Sequence, residues 1–79
     1  MTYSKRDPHL DAMLGKKVYL IFNDMSCEVG FLGWSGAYDP NLGIKPFTYF
    51  LKKKDGTVIC FRKSHLAFAR EMRADDDNN

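Results

Sequence analysis

The strongest constraint on the fold is a pair of strand-like segments joined by a short polar turn. Residues 17–22 are rich in β-branched and aromatic side chains, with Val18, Leu20 and Phe22 on one face and Tyr19 and Ile21 on the other. Residues 27–34 also alternate between two faces. The four residues between them, 23–26, have the composition and length of a hairpin turn. An antiparallel β-hairpin is therefore expected to begin the main body of the chain.

Glycines distinguish the second of these strands. Gly30 and Gly33 lie inside it, which predicts a sharply bent or bulged strand of the kind that a small barrel needs. Residues 35–46 contain several glycines and prolines, and this composition predicts a long irregular loop.

A second hairpin is predicted further along the chain. Residues 47–53 and 58–63 have strand character, and the segment 54–57 between them contains the Asp-Gly pair that favours a tight turn. Residues 66–72 are ambiguous, because their alternating apolar positions suit a strand while their Ala, Arg and Glu content also suits a helix. The expected antiparallel sheet therefore has four or five strands.

A short helix is predicted ahead of the first strand. Asp7 is a preferred N-cap residue, and Pro8 suits the first position of a helix. Gly15 stands where a left-handed C-cap belongs. Residues 8–14 are therefore predicted to form a two-turn helix with one apolar stripe, made by Leu10, Met13 and Leu14.

Length and charge indicate one small domain with an acidic tail. The 79 residues are 44% hydrophobic, which is too high a share for a disordered chain. Twelve basic and ten acidic residues give a net charge of +2, and three of the acids form the run Asp75–Asp77. We expect residues 1–74 to form a single modestly basic domain and residues 75–79 to be a disordered tail.

Composition also excludes several classes of protein. No apolar run approaches the ~20 residues of a membrane span, and the charged opening residues lack the apolar stretch of a secretory signal. Cys27 and Cys60 are too few for a disulfide scaffold and are expected to be free apolar fillers. With His9 and His65 they lack the spacing of a zinc site, so neither a metal nor a cofactor is expected. A reduced, cytoplasmic protein is predicted.

Four consecutive residues are the main candidates for a binding site. Arg62, Lys63, Ser64 and His65 place two cations, a hydroxyl and an imidazole at the end of the fourth strand. Such a group can bind a phosphate and hydrogen-bond or stack on a base. The alternative is that the two cations are ordinary solvated residues and the histidine is part of a turn.

Aromatic residues beside the loop 35–46 are further candidates. Trp34 and Tyr38 could stack on nucleic-acid bases. The alternative for Trp34 is that it fills the end of the barrel as the largest hydrophobic side chain, so Tyr38 is the better contact candidate. The lysine run 52–54 is expected to be a solvated hairpin tip, with contact to phosphates as the alternative.

The sequence gives no indication of an enzyme. Ser64 and His65 are the only adjacent pair of a nucleophile and a base, and neighbours on an extended strand point to opposite faces. Neither a glycine-rich phosphate loop nor a plausible pair of carboxylates is present. A non-enzymatic binding protein is expected.

Two segments carry a resemblance to a known family. Residues 18–24 together with 29–32 are similar to the first hairpin of the Sm-like fold, which includes the bacterial RNA chaperone Hfq. Residues 60–66, Cys-Phe-Arg-Lys-Ser-His-Leu, resemble the basic aromatic-Lys-His element that follows the fourth strand in the bacterial branch. The likeness runs from residue 9 to about residue 68. It implies a mainly β fold, with a short N-terminal helix before a strongly bent four- or five-stranded antiparallel Sm-like or SH3-like small barrel.

Two classes of function are consistent with these features. The first is binding of a nucleotide or single-stranded RNA at a basic and aromatic rim of a homo-oligomer, since an open barrel edge must be paired or covered. The segment 61–65 also resembles small proteins of phages and mobile elements. The alternative is therefore an inhibitor of a host defence system, which sequesters a cyclic nucleotide signal or docks on a host protein.

Overall fold

The computed structural model describes residues 6–72. The predicted acidic tail, residues 75–79, lies outside this range, as do both ends of the predicted domain. In chain order the elements are α1 (Pro8–Asp11), β1 (Lys17–Phe22), β2 (Cys27–Ser35), β3 (Thr48–Lys52), β4 (Val58–Phe61), a 3₁₀ turn (Lys63–His65) and β5 (Leu66–Glu71).

All five strands belong to one antiparallel sheet with the order β4-β3-β2-β1-β5. The prediction of a mainly β fold with a short N-terminal helix is confirmed. Three of the four strand pairs join neighbours in sequence, and only β1 and β5 pair across the length of the chain. Within residues 6–72 no ladder joins β4 to β5, so these strands are the two edges of an open sheet. Closure into a barrel stays a prediction.

The long strand β2 serves two different partners. Its first half pairs with β1 and its second half with β3, and Phe31 lies opposite both Lys17 and Lys52. At the neighbouring Gly30, an added Cβ would lie 2.6 Å from the backbone oxygen of Lys52. The backbones of β2 and β3 approach too closely here for any side chain, which explains the glycine inside β2.

The hydrophobic core lies on the inner face of the sheet, under α1. The predicted alternation in β1 is confirmed, since Val18 and Leu20 are fully buried while Tyr19 and Ile21 are only partly buried. α1 and the turn after it contribute two apolar residues to this cluster. The buried members are Leu10, Met13, Val18, Leu20, Leu32, Tyr49, Leu51 and Phe61.

The helix is shorter than predicted. Asp7 caps it and Pro8 is its first residue, as expected, but the α-helical segment ends at Asp11 and not at residue 14. The next amides turn more tightly, to carbonyls three residues back, until Gly15 adopts the expected left-handed conformation with φ of 80°. Its N–H donates to the Leu32 carbonyl at 2.8 Å. This contact between Gly15 and β2 replaces the second helical turn.

Two predicted strands also change at their ends. The third begins at Thr48 and not at residue 47, because Phe47 has a left-handed backbone with φ of 53°. The fourth ends at Phe61, since the residues up to His65 form the 3₁₀ turn. The ambiguous segment 66–72 is a strand up to residue 71, because it pairs with the free side of β1.

The two cysteines are free, as predicted. Cys60 is partly buried, but Cys27 is exposed at the start of β2. The prediction that Cys27 fills an apolar space is therefore wrong, because the residue lies on the outer face of the sheet opposite Ile21. Between residues 6 and 72, no helix has the length and apolar character needed to cross a membrane.

Candidate functional site

The 3₁₀ turn is held in place by Asn23, in the turn between β1 and β2. The backbone N–H of Asn23 donates to the His65 carbonyl at 2.8 Å, and its side-chain amide donates to the Ser64 carbonyl at 2.8 Å. The turn joins the two edge strands of the sheet. The two hydrogen bonds from Asn23 therefore fix the backbone of the turn where it passes from β4 to β5. This turn also corrects the expectation that Ser64 and His65 lie on an extended strand.

A cavity of about 550 Å³ lies beside this turn. We call it the Arg62 cavity. β4 and the turn provide one side, and the end of the long loop with the start of β3 provides the other. Its lining residues are Lys45, Pro46, Thr48, Cys60, Phe61, Arg62 and His65.

The mouth of the Arg62 cavity is cationic. Arg62 and Lys45 are both exposed, and neither has a carboxylate partner among residues 6–72. Phe61 is 6% exposed and is fixed by aromatic contacts with Phe22 and Tyr49. The cavity therefore combines two available positive charges with a rigid aromatic wall.

A second cavity of about 440 Å³ adjoins the first. Both are lined by Cys60, Phe61 and His65, but the second also has the carboxylates of Asp24 and Glu28. Glu28 is ion-paired with Lys53, so the Asp24 carboxylate is the main source of negative charge at this end. This charge disfavours a phosphate, whereas the Arg62 end favours one. The two neighbouring cavities thus differ in charge.

Lys63 is not part of the Arg62 cavity. Its Nζ lies 2.8 Å from Oδ2 of Asp7, while Oδ1 of the same carboxylate accepts from the N–H of His9 at the start of α1. The hydrogen bond from Lys63, assisted by those of the backbone amides at the helix start, lowers the pKa of Asp7. Lys63 therefore fastens the turn to α1. Ser64 is exposed and does not line the cavity either.

The two aromatic candidates lie elsewhere. Trp34 packs edge-on against Tyr49 with ring centroids 4.9 Å apart, and the Arg6 guanidinium lies 4.4 Å from the Trp34 ring centroid. This packing against the core matches the alternative interpretation of Trp34. Tyr38 is 63% exposed in the loop. The structure thus unites Arg62 with His65 but does not bring Trp34 or Tyr38 to their cavity.

Sequence reasoning missed five of the seven lining residues, and three of these, Lys45, Pro46 and Thr48, come from outside the segment 60–65. They stand at the end of the loop and the start of β3. Antiparallel pairing of β3 with β4 places Tyr49 opposite Phe61, so the residues before β3 lie beside those after β4. The predicted second hairpin was therefore the sequence feature from which the position of these residues beside Arg62 could have been inferred.

Within residues 6–72, no three His, Cys, Asp or Glu side chains come together in a way that would hold a metal ion. Comparison of the chain with family models, with curated proteins and with solved structures finds no match.

Proposed function

We propose that this chain is a non-enzymatic module that binds a nucleotide or single-stranded RNA in the Arg62 cavity. The observation that carries the proposal is the pair of cations, Arg62 and Lys45, that have no acidic partner in the described residues and lie beside an aromatic wall. Unneutralised cations at a concave site favour an anionic ligand.

The side chains of the cavity suit the two parts of a nucleotide. The forked guanidinium of Arg62 can bind two phosphate oxygens at once, and Lys45 adds a second charge from the opposite side. The imidazole of His65 offers a flat surface on which a base can stack, and the aliphatic ring of Pro46 adds an apolar contact. Because the Asp24 carboxylate lies in the adjoining cavity, we infer that the phosphate binds at the Arg62 end.

We further propose that the protein acts as a homo-oligomer. Within residues 6–72 no strand pairs with the outer edge of β4 or of β5, although the His9 Nε2 atom lies 3.0 Å from the Ala69 carbonyl oxygen on β5. The 3₁₀ turn between the two strands places the Arg62 cavity beside β4, the less covered edge. A second copy added along β4 would pair the exposed edge and extend the cavity wall. Such assembly fits the Sm-like resemblance of the sequence.

The proposal is tested by titration with the four ribonucleoside monophosphates and with single-stranded RNA of mixed sequence. Arg62→Ala should weaken binding about tenfold or more, since it removes a charge-assisted contact worth ~1.5–3 kcal/mol. Lys16→Ala is the matched control, because Lys16 is an exposed cation paired with Glu71 away from the cavity. Absence of binding by the wild type, or equal losses in both variants, would contradict the proposal.

A second candidate function, docking on another protein, is favoured by the long loop. Tyr38, Leu42 and Phe47 are apolar or aromatic, and each exposes more than two fifths of its surface. Binding through such residues would depend little on salt, whereas binding through phosphates weakens steeply as salt rises. A protein partner held with little salt dependence, and lost on Tyr38→Ala, would favour this candidate.

A further inference from the structure

A separate cavity of about 830 Å³ is rich in lysine. We call it the lysine cavity. It shares no lining residue with the Arg62 cavity and lies between the start of β1, the middle of β2 and the hairpin of β3 and β4. Its lining residues are Lys17, Val29, Gly30, Phe31, Lys52, Lys53, Lys54 and Asp55.

An exposed aromatic ring stands between two of these lysines. Phe31 is 52% exposed, and in the sheet it is the direct partner of Lys17 on β1 and of Lys52 on β3. Directly opposed residues of antiparallel strands project from the same face with Cβ atoms about 5 Å apart. The outer face of the sheet therefore carries a row in which a phenylalanine is flanked by a cation on each side.

The positive charge of the lysine cavity is only partly neutralised. Lys53 forms an ion pair with Glu28, with Nζ and Oε1 3.0 Å apart. The Asp55 carboxylate accepts from the N–H of Thr57 at 2.9 Å, so it caps the hairpin turn. Lys52 and Lys54 have no acidic partner in the described part of the chain. These two lysines leave a net positive charge beside an exposed aromatic ring.

We propose that the lysine cavity is a second contact site for single-stranded nucleic acid, in which a base stacks on Phe31 and the backbone phosphates contact Lys52 and Lys54. An aromatic platform beside cations is the arrangement with which proteins hold single strands without reading their sequence. This inference rests on the proposed function and narrows it. The ligand is an extended strand that reaches both cavities, and a mononucleotide occupies the Arg62 cavity alone.

The test compares a mononucleotide with a strand. The probes are adenosine monophosphate and a labelled single-stranded RNA of about 12 nucleotides, a length within the usual site size of such proteins. Phe31→Ala should weaken RNA binding at least about fivefold, the loss expected for one stacked base. It should leave binding of the mononucleotide unchanged. Phe68→Ala is the matched control, since Phe68 is 48% exposed but lies outside the lysine cavity.

The lysines give a second measurement that does not depend on Phe31. The double variant Lys52→Gln, Lys54→Gln should reduce the slope of log affinity against log salt for RNA by about 0.7 per lysine. Lys16→Gln removes one positive charge outside the cavity and should leave this slope unchanged. A melting curve of each variant tests whether that variant is still folded.

The outcomes separate the two proposals. If neither probe binds the wild type, the proposed function is wrong and this inference is wrong with it. If Arg62→Ala weakens the binding of both probes while the Phe31 and lysine variants bind RNA like the wild type, only the second site is wrong. Equal weakening of both probes by Phe31→Ala would also overturn it.

Discussion

At the scale of single residues, Tyr49 connects the sheet with the helix. Its ring is fully buried in the core, and its hydroxyl accepts from the N–H of Asp7 at 2.7 Å and donates to Oδ1 of Asp11 at 2.8 Å. Burial, the main cause, raises the pKa of this phenol. One hydroxyl therefore satisfies polar groups at both ends of α1.

Loss of this hydroxyl should destabilise the protein. Tyr49→Phe keeps the ring but leaves the buried N–H of Asp7 without its acceptor, a loss of about 1–3 kcal/mol in the free energy of unfolding. Tyr38→Phe is the control, since its side chain is exposed, and it should change this free energy by less than about 0.5 kcal/mol. Urea denaturation measures both. Similar values for the two variants would show that the hydroxyl of Tyr49 contributes nothing.

The ion pair of Asp7 with Lys63 should make stability depend on acid pH. Because the hydrogen bond from Lys63 lowers the pKa of Asp7 in the folded state, the stabilisation is complete above the unfolded value of about 3.9. It is lost as the pH falls through the lower folded value. Asp7→Asn keeps a good N-cap residue but removes the charge. The variant should be less stable at neutral pH and lose less stability on acidification.

Lys63→Gln is the matched variant for this pair. It removes the partner cation and should reproduce part of the effect of Asp7→Asn, because the amides at the helix start still stabilise the carboxylate. The double variant should lose less stability than the sum of the two single losses. The measurement is the free energy of unfolding between about pH 2 and pH 7. Strictly additive losses would show that the two side chains do not interact.

At the scale of elements, sequence patterns predicted those features whose conformation depends on residues close together in the sequence. The two hairpin turns and the left-handed Gly15 follow from nearby composition, and Gly56 in the Asp-Gly turn has the expected positive φ of 90°. The segment 66–72 could not be assigned in this way. Its helix and strand propensities are mixed, and it forms a strand because it pairs with the side of β1 that β2 leaves free.

The candidate site also has a part that local sequence predicts and a part that it does not. Arg62 and His65 could be found because they lie together in sequence. Lys63 points away from the Arg62 cavity because it pairs with Asp7, 56 residues earlier in the sequence. Lys45 lines the cavity because of the way in which β3 pairs with β4. Side-chain partners that are distant in sequence leave no local pattern.

Gly30 should be the least replaceable position of β2. An added Cβ would contact the Lys52 carbonyl oxygen, which is backbone and cannot rotate away. Gly30→Ala should therefore cost about 1–3 kcal/mol in the free energy of unfolding, as overpacking does. Gly36→Ala is the control, because nothing lies within 4 Å of an added Cβ there. Thermal melting measures both, and equal melting temperatures would refute the steric explanation.

At the scale of the whole molecule, the open sheet favours self-association. Its two edges, β4 and β5, are four and six residues long, and β4, which has no strand on its outer side within residues 6–72, can pair with another strand. Light scattering at micromolar concentration should therefore give a mass that is a multiple of 9.1 kDa. Because edge pairing depends on backbone hydrogen bonds, this mass should persist at high salt. A uniform 9.1 kDa species would contradict the proposed assembly.

The order of the strands also has a consequence for folding. β1 to β4 follow one another as a local meander, whereas the pairing of Val18 with Glu71 must close most of the chain into a loop. Closing such a loop costs more entropy than forming a hairpin, so we expect β5 to dock after the meander has formed. The 3₁₀ turn directly precedes β5 and is held in addition by Asn23 and by the ion pair of Lys63 with Asp7. The Arg62 cavity, which borders the connection to β5, is therefore expected to be completed only late in folding.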